Sequence, residues 1–241
     1  MFFKKQIKRL KKAGGVLALG GAVYCAYHAG CHVTKAKLKT SNERKLNFQY
    51  ERTVIPAVLS MPVNMKRLRT YPCVLILTDA DYPQENSRKI AEALASKGII
   101  SLRYPLTRTD YSDEQRLDIA QSAMRQLKYL LHVNQKQMGV IGIGKGCREA
   151  MVVSGKQAPL ARCLWNLDMA EPSVLTEGSL LCVNASEDCA DSRNHAKTLV
   201  NSSHDAAYLL IKDSRQLLAG KGLDNAVLHT CAFMKRHLTS V

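Results

Sequence analysis

Acyl-transfer chemistry needs a nucleophile on a sharp turn between strand and helix, with a base and an orienting acid delivered from elsewhere. One stretch has the backbone for such a turn: Met138-Gly139-Val140-Ile141-Gly142-Ile143-Gly144-Lys145-Gly146-Cys147. An apolar β run ends in a cluster of glycines, and a helix-like segment from Arg148 to Ser154 follows at once. Glycine at 142, 144 and 146 leaves no Cβ to block the close backbone approach. The spacing is that of the G-x-S-x-G nucleophile elbow, with Gly144 in the place of the serine. The turn is legible and the nucleophile is missing.

Two other chemistries can be read into the same stretch. Cys147 sits one turn into the helix, where the N-terminal dipole would lower a thiol pKa. It lies three residues past the elbow, however, and no histidine is placed to pair with it. Gly139 to Lys145 also spells G-x-x-x-x-G-K, but Gly146 replaces the Ser/Thr that would hold magnesium. Gly139 to Ile143 is moreover the strand itself, which leaves no loop to cradle phosphates. A looser anion site at the helix N-terminus, helped by Lys145, stays open. No metal-finger spacing and no cofactor signature occurs, and the eight cysteines form no C-x-x-C pair. Cys73, Cys182 and Cys231 lie in apolar patterns, as buried free thiols do.

The elements that must position this turn follow a clear order. Residues 1–45 carry 11 of the 35 Lys and Arg against one acid, Glu43. The body is therefore only modestly basic and shows no RNA-recognition signature, so nucleic acid is not an expected partner. Lys4, Lys5, Lys8, Arg9, Lys11 and Lys12 precede a span, Ala13 to Val33, without Asp, Glu, Lys or Arg. As a helix it would cover roughly 30 Å, about one bilayer core. Gly14, Ala18, Ala22, Ala26 and Gly30 give it one small-residue face. The span reads as an uncleaved single-pass membrane anchor; a cleaved signal, with Tyr27 awkwardly at −3 of Ala29, and a surface-lying helix are the alternatives. Lys35, Lys37 and Lys39 on the other flank leave the side of the body open.

Thr34 to Lys45 reads as a linker, so the expected domains are 1–45 and 46–241. Leu46 to Arg52 and Val54 to Met61 read as paired edge strands, with Pro56 tolerated at an edge. Tyr71 to Thr78 is a continuous apolar run, as in a strand covered on both faces. Helical periodicity follows at Glu85 to Lys97, a strand at Ile99 to Tyr104, and a long helix at Asp113 to His132. After the elbow come strands at Arg162 to Leu167, Leu180 to Asn184 and Ala207 to Ile211, with helices at Ser192 to Val200 and Asp224 to His237. The alternation predicts an α/β fold, a mostly parallel sheet with helices on both faces.

From about Leu46 onward the chain resembles an α/β-hydrolase without a lid domain, preceded by an N-terminal helix. Within that superfamily it is most similar to the acyl-CoA thioesterase and bile acid-CoA:amino acid N-acyltransferase family, with dienelactone-hydrolase-like proteins second. The resemblance rests on Gly139 to Gly146, where that family reads G-x-x-G-I-S-K-G. Leu117 to Ala120 with Tyr129 to Leu131, and Ala185-Ser186-Glu187-Asp188 after a strand, support it. The resemblance makes Gly144 the degenerate nucleophile position and Asp188 a relic acid, although an Asp after a strand is equally a turn residue. Its histidine should follow the last strand, where Asp213-Ser214-Arg215-Gln216 stand; His204, His229 and His237 fall elsewhere. The second oxyanion donor would come from Asp79-Ala80-Asp81, where a carboxylate would oppose a developing oxyanion. Only nine residues, Ala170 to Gly178, stand where that family often inserts substrate-binding segments. The expected protein is a membrane-anchored pseudoenzyme that binds an acyl or anionic small molecule or a protein partner. The competing expectation is an active acyl-ester or thioester hydrolase with a nonstandard nucleophile, Cys147 being the one on offer.

Overall fold

The computed structural model describes residues 41–51, 53–79, 82–105, 111–153, 159–167, 177–212 and 220–239. The expected anchor at 13–33, the loop residues Ala80 and Asp81, the segment 170–176 and the stretch 213–216 lie outside them. Among the described residues no helix is long and apolar enough to cross a membrane.

Eight strands form one sheet: β1 (Ser41–Tyr50), β2 (Thr53–Pro62), β3 (Tyr71–Thr78), β4 (Ile100–Pro105), β5 (Val133–Ile143), β6 (Ala161–Trp165), β7 (Ser179–Ala185) and β8 (Ala206–Ile211). The described helices are α1 (Gln84–Ser96), α2 (Asp113–Lys128), α3 (Gly146–Val152), α4 (Ala190–Ser202) and α5 (Gly220–Thr239). The strand order is β1-β2-β4-β3-β5-β6-β7-β8. β1 pairs antiparallel with β2 and β2 with β4, and every other pairing is parallel. The α/β architecture expected from the alternation is the one observed.

Side-chain alternation divides the core in two. Cys73, Leu75 and Leu77 of β3 face one side, packed with Ile119, Met124 and Leu127 of α2, Cys147 and Ala150 of α3, and Leu199 of α4. Val74 and Ile76 face the other, against Ile90 and Leu94 of α1 and Leu223, Cys231 and Met234 of α5. All eight β3 residues are buried, which is why that strand reads as an unbroken apolar run. Each buried Leu or Ile contributes about 1.5–3 kcal/mol relative to exposure. α2 begins at a capping box: Ser112 Oγ accepts from Gln115 N at 3.2 Å, and Gln115 Oε1 accepts from Ser112 N at 2.9 Å.

Three expectations need correction. β1 begins at Ser41, so 41–45, read as linker, are strand; their charges face solvent along an outer strand and hide the β pattern. β2 is not an edge, since Val58 to Ser60 pair with β4. Pro56 is tolerated because it lies beyond that ladder, opposite Asn47 of β1 alone. The long helix stops at Lys128, not His132. Leu131 continues the helical period but is 82% exposed, and His132 turns the chain with φ 71° into β5. The two ends of the sheet differ in character. Glu43, Arg44 and Lys45 stand exposed in the middle of β1, whereas β8 carries no charged residue.

Candidate functional site

β5 ends at Ile143 and α3 begins at Gly146, so two residues make the whole turn. Gly144 adopts φ 59°, the left-handed region that costs a side chain of order 1 kcal/mol or more. Its N–H donates to Trp165 O at 2.9 Å, and its carbonyl accepts from Cys147 N at 3.0 Å. The flanking glycines are there for space. A Cβ at Gly142 would stand 2.7 Å from Cys147 Cα and Ala150 Cβ, and one at Gly146 would stand 2.5 Å from Leu77 O. The helix therefore crosses β5 and β3 closer than any side chain permits. The elbow is a complete elbow.

Among the described residues, Asp79 stands over Gly144. The three described atoms nearest to a Cβ built there are all from Asp79, with Oδ2 at 3.4 Å and its own Cβ at 3.5 Å. Asp79 follows the last residue of β3, so the sequence-predicted carboxylate stands where a nucleophile would project. A negative group there opposes an oxyanion and repels any anion drawn by Lys145, which is exposed at the start of α3 and makes no side-chain cap. Ala80, the other expected donor position, lies outside the described residues.

Cys147 is fully buried, and its Sγ donates to Trp165 O at 3.3 Å. Burial above all, with Cys182 and Cys163 nearby, pushes its pKa far above the ordinary thiol value. The helix dipole is outweighed by desolvation, and the group is a packed thiol at neutral pH.

Asp188 follows β7 as the resemblance implied, but its lone pairs are committed locally. It accepts from Ala185 N at 2.6 Å and from Asn184 Nδ2 at 3.1 Å. Asn166, with its amide nitrogen assigned to face the carboxylate, donates to both oxygens as well. Burial raises the Asp188 pKa; the Ala185 N–H, the Asn184 amide and Arg193 pull it back. Asn166 sits directly after β6 with φ 50°, and its amide takes up both carboxylate oxygens. Sequence reasoning missed Asn166, because nothing in a single asparagine after a strand announces a carboxylate across the sheet.

Among the described residues no histidine is a partner of Gly144 or Asp188, and His195, part-buried on α4, bonds to neither. His204 precedes β8 and is exposed, His229 is exposed on α5, and neither residue 212 nor any of 213–219 is a histidine. His237 belongs instead to a cluster at the opposite end of the strands. Ser179 Oγ, at the start of β7, lies 2.8 Å from His237 Nδ1 and donates to Asp205, just before β8. There the serine stands between carboxylate and imidazole, whereas a catalytic relay needs the imidazole between the other two. The cluster ties α5 to β7 and β8. Sequence spacing gave no sign of it.

A second feature beneath the elbow was also missed. Glu149 of α3 is 2% exposed and accepts from Arg116 Nε of α2 at 2.9 Å. Burial raises its pKa, and Arg116 acts against that rise. Its other oxygen, Oε2, and the hydroxyl of Tyr104 are buried without hydrogen-bond partners among the described residues.

No protein-family model matches the sequence, and no curated protein matches it. Solved structures do share its fold. A dienelactone hydrolase from Anabaena variabilis superposes with TM-score 0.63 at 14% identity, over 83% of this chain and 99% of that one. A thermostable esterase from Pseudomonas putida gives 0.68 at 14%, over 90% of this chain and 88% of its own. A dienelactone hydrolase-like promiscuous phosphotriesterase from metagenomic libraries gives 0.68 at 13%, over 82% and 99%. At these identities the likeness is one of fold: the chain has the α/β-hydrolase architecture, with Gly144 at the end of its central parallel strand.

Proposed function

We propose that this chain is a membrane-anchored α/β-hydrolase-fold protein, of acyl-CoA thioesterase and acyltransferase-like ancestry, that acts by binding and not by turnover. The observation that carries the reading is the Asp79 carboxylate standing over Gly144. An elbow without a nucleophile, roofed by a negative charge, cannot generate or stabilise a tetrahedral oxyanion. Asp188 is occupied by Asn184, Asn166 and the backbone of its own turn, so it acts as a turn residue. The acyl-CoA-related ancestry rests on the run Gly139 to Gly146 and on the Ala185 to Asp188 segment. The binding partner on this reading is an acyl or anionic small molecule held away from Asp79, or a protein.

The deciding experiment treats purified full-length protein with a fluorophosphonate and with a thiol-directed acylating probe. Slow, background-level labelling by both is the expected result, since only an activated nucleophile reacts fast. Rapid labelling lost in Cys147→Ala would establish a nonstandard hydrolase instead. The anchor is tested separately by carbonate extraction of membranes. Retention of the full chain in the pellet supports the Ala13 to Val33 span as an anchor, and release into the supernatant overturns it.

A further inference from the structure

The end of the sheet opposite the elbow carries a feature that the proposed binding role does not use. Two loops meet there, one between β2 and β3 (63–70) and one between α2 and β5 (129–132). They join at Tyr71: its N–H donates to His132 O at 2.7 Å, and its hydroxyl accepts from Lys66 N at 2.7 Å. Tyr71 and Val133 are register partners at the start of β3 and β5. The tips of both loops are apolar and uncovered. Leu68 is 100% exposed, Leu131 is 82% and Tyr129 is 81%.

These tips stand among cations. Lys66, Arg67 and Arg69 flank Leu68, all exposed, and the Arg69 guanidinium lies 5.7 Å from the Tyr71 ring centroid. Lys128 closes α2 immediately before Tyr129, and Lys136 is exposed near the start of β5. No Asp or Glu occurs anywhere in 62–78 or 119–148. A fully exposed leucine between three cations has no stabilising role inside a soluble fold, because it leaves its transfer free energy unrealised.

We propose that this face is a peripheral docking surface for an anionic lipid bilayer, with Leu68, Tyr129 and Leu131 entering the interface and the lysines and arginines meeting the headgroups. Amphipathic tips with a basic rim are what an interfacial contact requires, and acidic lipid attracts each added Lys or Arg. A nucleic acid would take up the charge but leave two leucines in water. The inference rests on the body alone and does not need the N-terminal span. It also sets an orientation: Gly144 follows the far end of β5, roughly 25 Å away along the strand, so the elbow faces away from the lipid.

The test uses the full-length Leu68→Trp variant and vesicles carrying a lipid brominated on its acyl chains, with or without phosphatidylserine. Trp165, the one native tryptophan, is fully buried and provides a constant background. The expected result is blue-shifted, quenched emission from the introduced indole with phosphatidylserine vesicles and none with phosphatidylcholine alone. Lys66→Ala and Arg67→Ala should each weaken the titration about fivefold, and added salt should reverse it. Leu131→Trp provides a second reporter if Leu68→Trp does not fold. Absence of quenching at both positions, or equal quenching without phosphatidylserine, overturns the proposal. So does a concentration-dependent dimer in sedimentation that Leu68→Glu abolishes, which would give the face to a second copy of the chain. An anchored span would hold the protein on both kinds of vesicle, so co-sedimentation reports the anchor and quenching reports this face.

Discussion

Arg116 Nε stands 2.9 Å from Glu149 Oε1 and so joins α2 to the short helix that follows the elbow. Burial holds the Glu149 carboxyl above its ordinary pKa despite this partner. The folded chain then binds that proton more tightly than the unfolded chain does. Its contribution to stability is full below the ordinary value of 4.5 and is lost as pH rises through the raised folded value. Glu149→Gln should therefore gain on wild type, in melting temperature, as pH rises from 4.5 through the raised folded value. Parallel curves across that range would show that the carboxyl is not perturbed. Arg116→Ala should cost up to about 3 kcal/mol near neutral pH, because it strands a buried charge.

The three glycines of the elbow should not be equivalent. Gly146→Ala drives a methyl into Leu77 O and Gly142→Ala drives one into the α3 backbone, and each should cost about 2–3 kcal/mol in urea titrations. Gly144→Ser meets only the Asp79 side chain at ordinary contact distance, and its cost of about 1 kcal/mol comes from the positive φ. Gly144→Val should lose about 2 kcal/mol. Equal losses at all three positions would mean that the turn is not closely packed.

Gly144→Ser alone should leave ester and thioester turnover at background. The new hydroxyl would face Asp79, and none of the described atoms nearest to it belongs to an imidazole that could take its proton. The same holds for Gly144→Ser combined with Asp79→Ala. Measured turnover in either variant would show that a base was overlooked.

Asp188→Ala should lower stability by about 2 kcal/mol, since it leaves the Ala185 N–H without its acceptor and the Asn184 amide with Ser192 Oγ alone. A carboxylate kept for catalysis behaves differently, because its removal is usually neutral or stabilising. Denaturation curves of the variant therefore separate a turn residue from an acid held in readiness.

The apolar runs of β3 and β5 and the glycine cluster between β5 and α3 were legible because burial on both faces and close backbone approach restrict residue type. β1 was read five residues short because solvent-facing charges do not betray a strand. The end of α2 was misplaced because Leu131 keeps the helical period while pointing into water. The contents of the site were harder still. Asp79 over Gly144, Asn166 on Asp188 and Arg116 on Glu149 are meetings of residues 65, 22 and 33 positions apart, fixed by strand order and loop path. A single polar residue carries no mark of the partner that topology will give it.

The unequal ends of the sheet give the molecule a polarity of growth. At β1 an incoming strand would have to lie alongside Glu43, Arg44 and Lys45, which guard the ladder against accretion. At β8 the run Ala206-Ala207-Tyr208-Leu209-Leu210-Ile211 offers an uncharged template with Leu210 exposed, and no described strand pairs with its outer side. Any misassembly under partial heating should therefore propagate from one side only, like a zipper with a single open end. Leu210→Lys should slow the rise in light scattering, whereas an added charge in β1 should leave it unchanged.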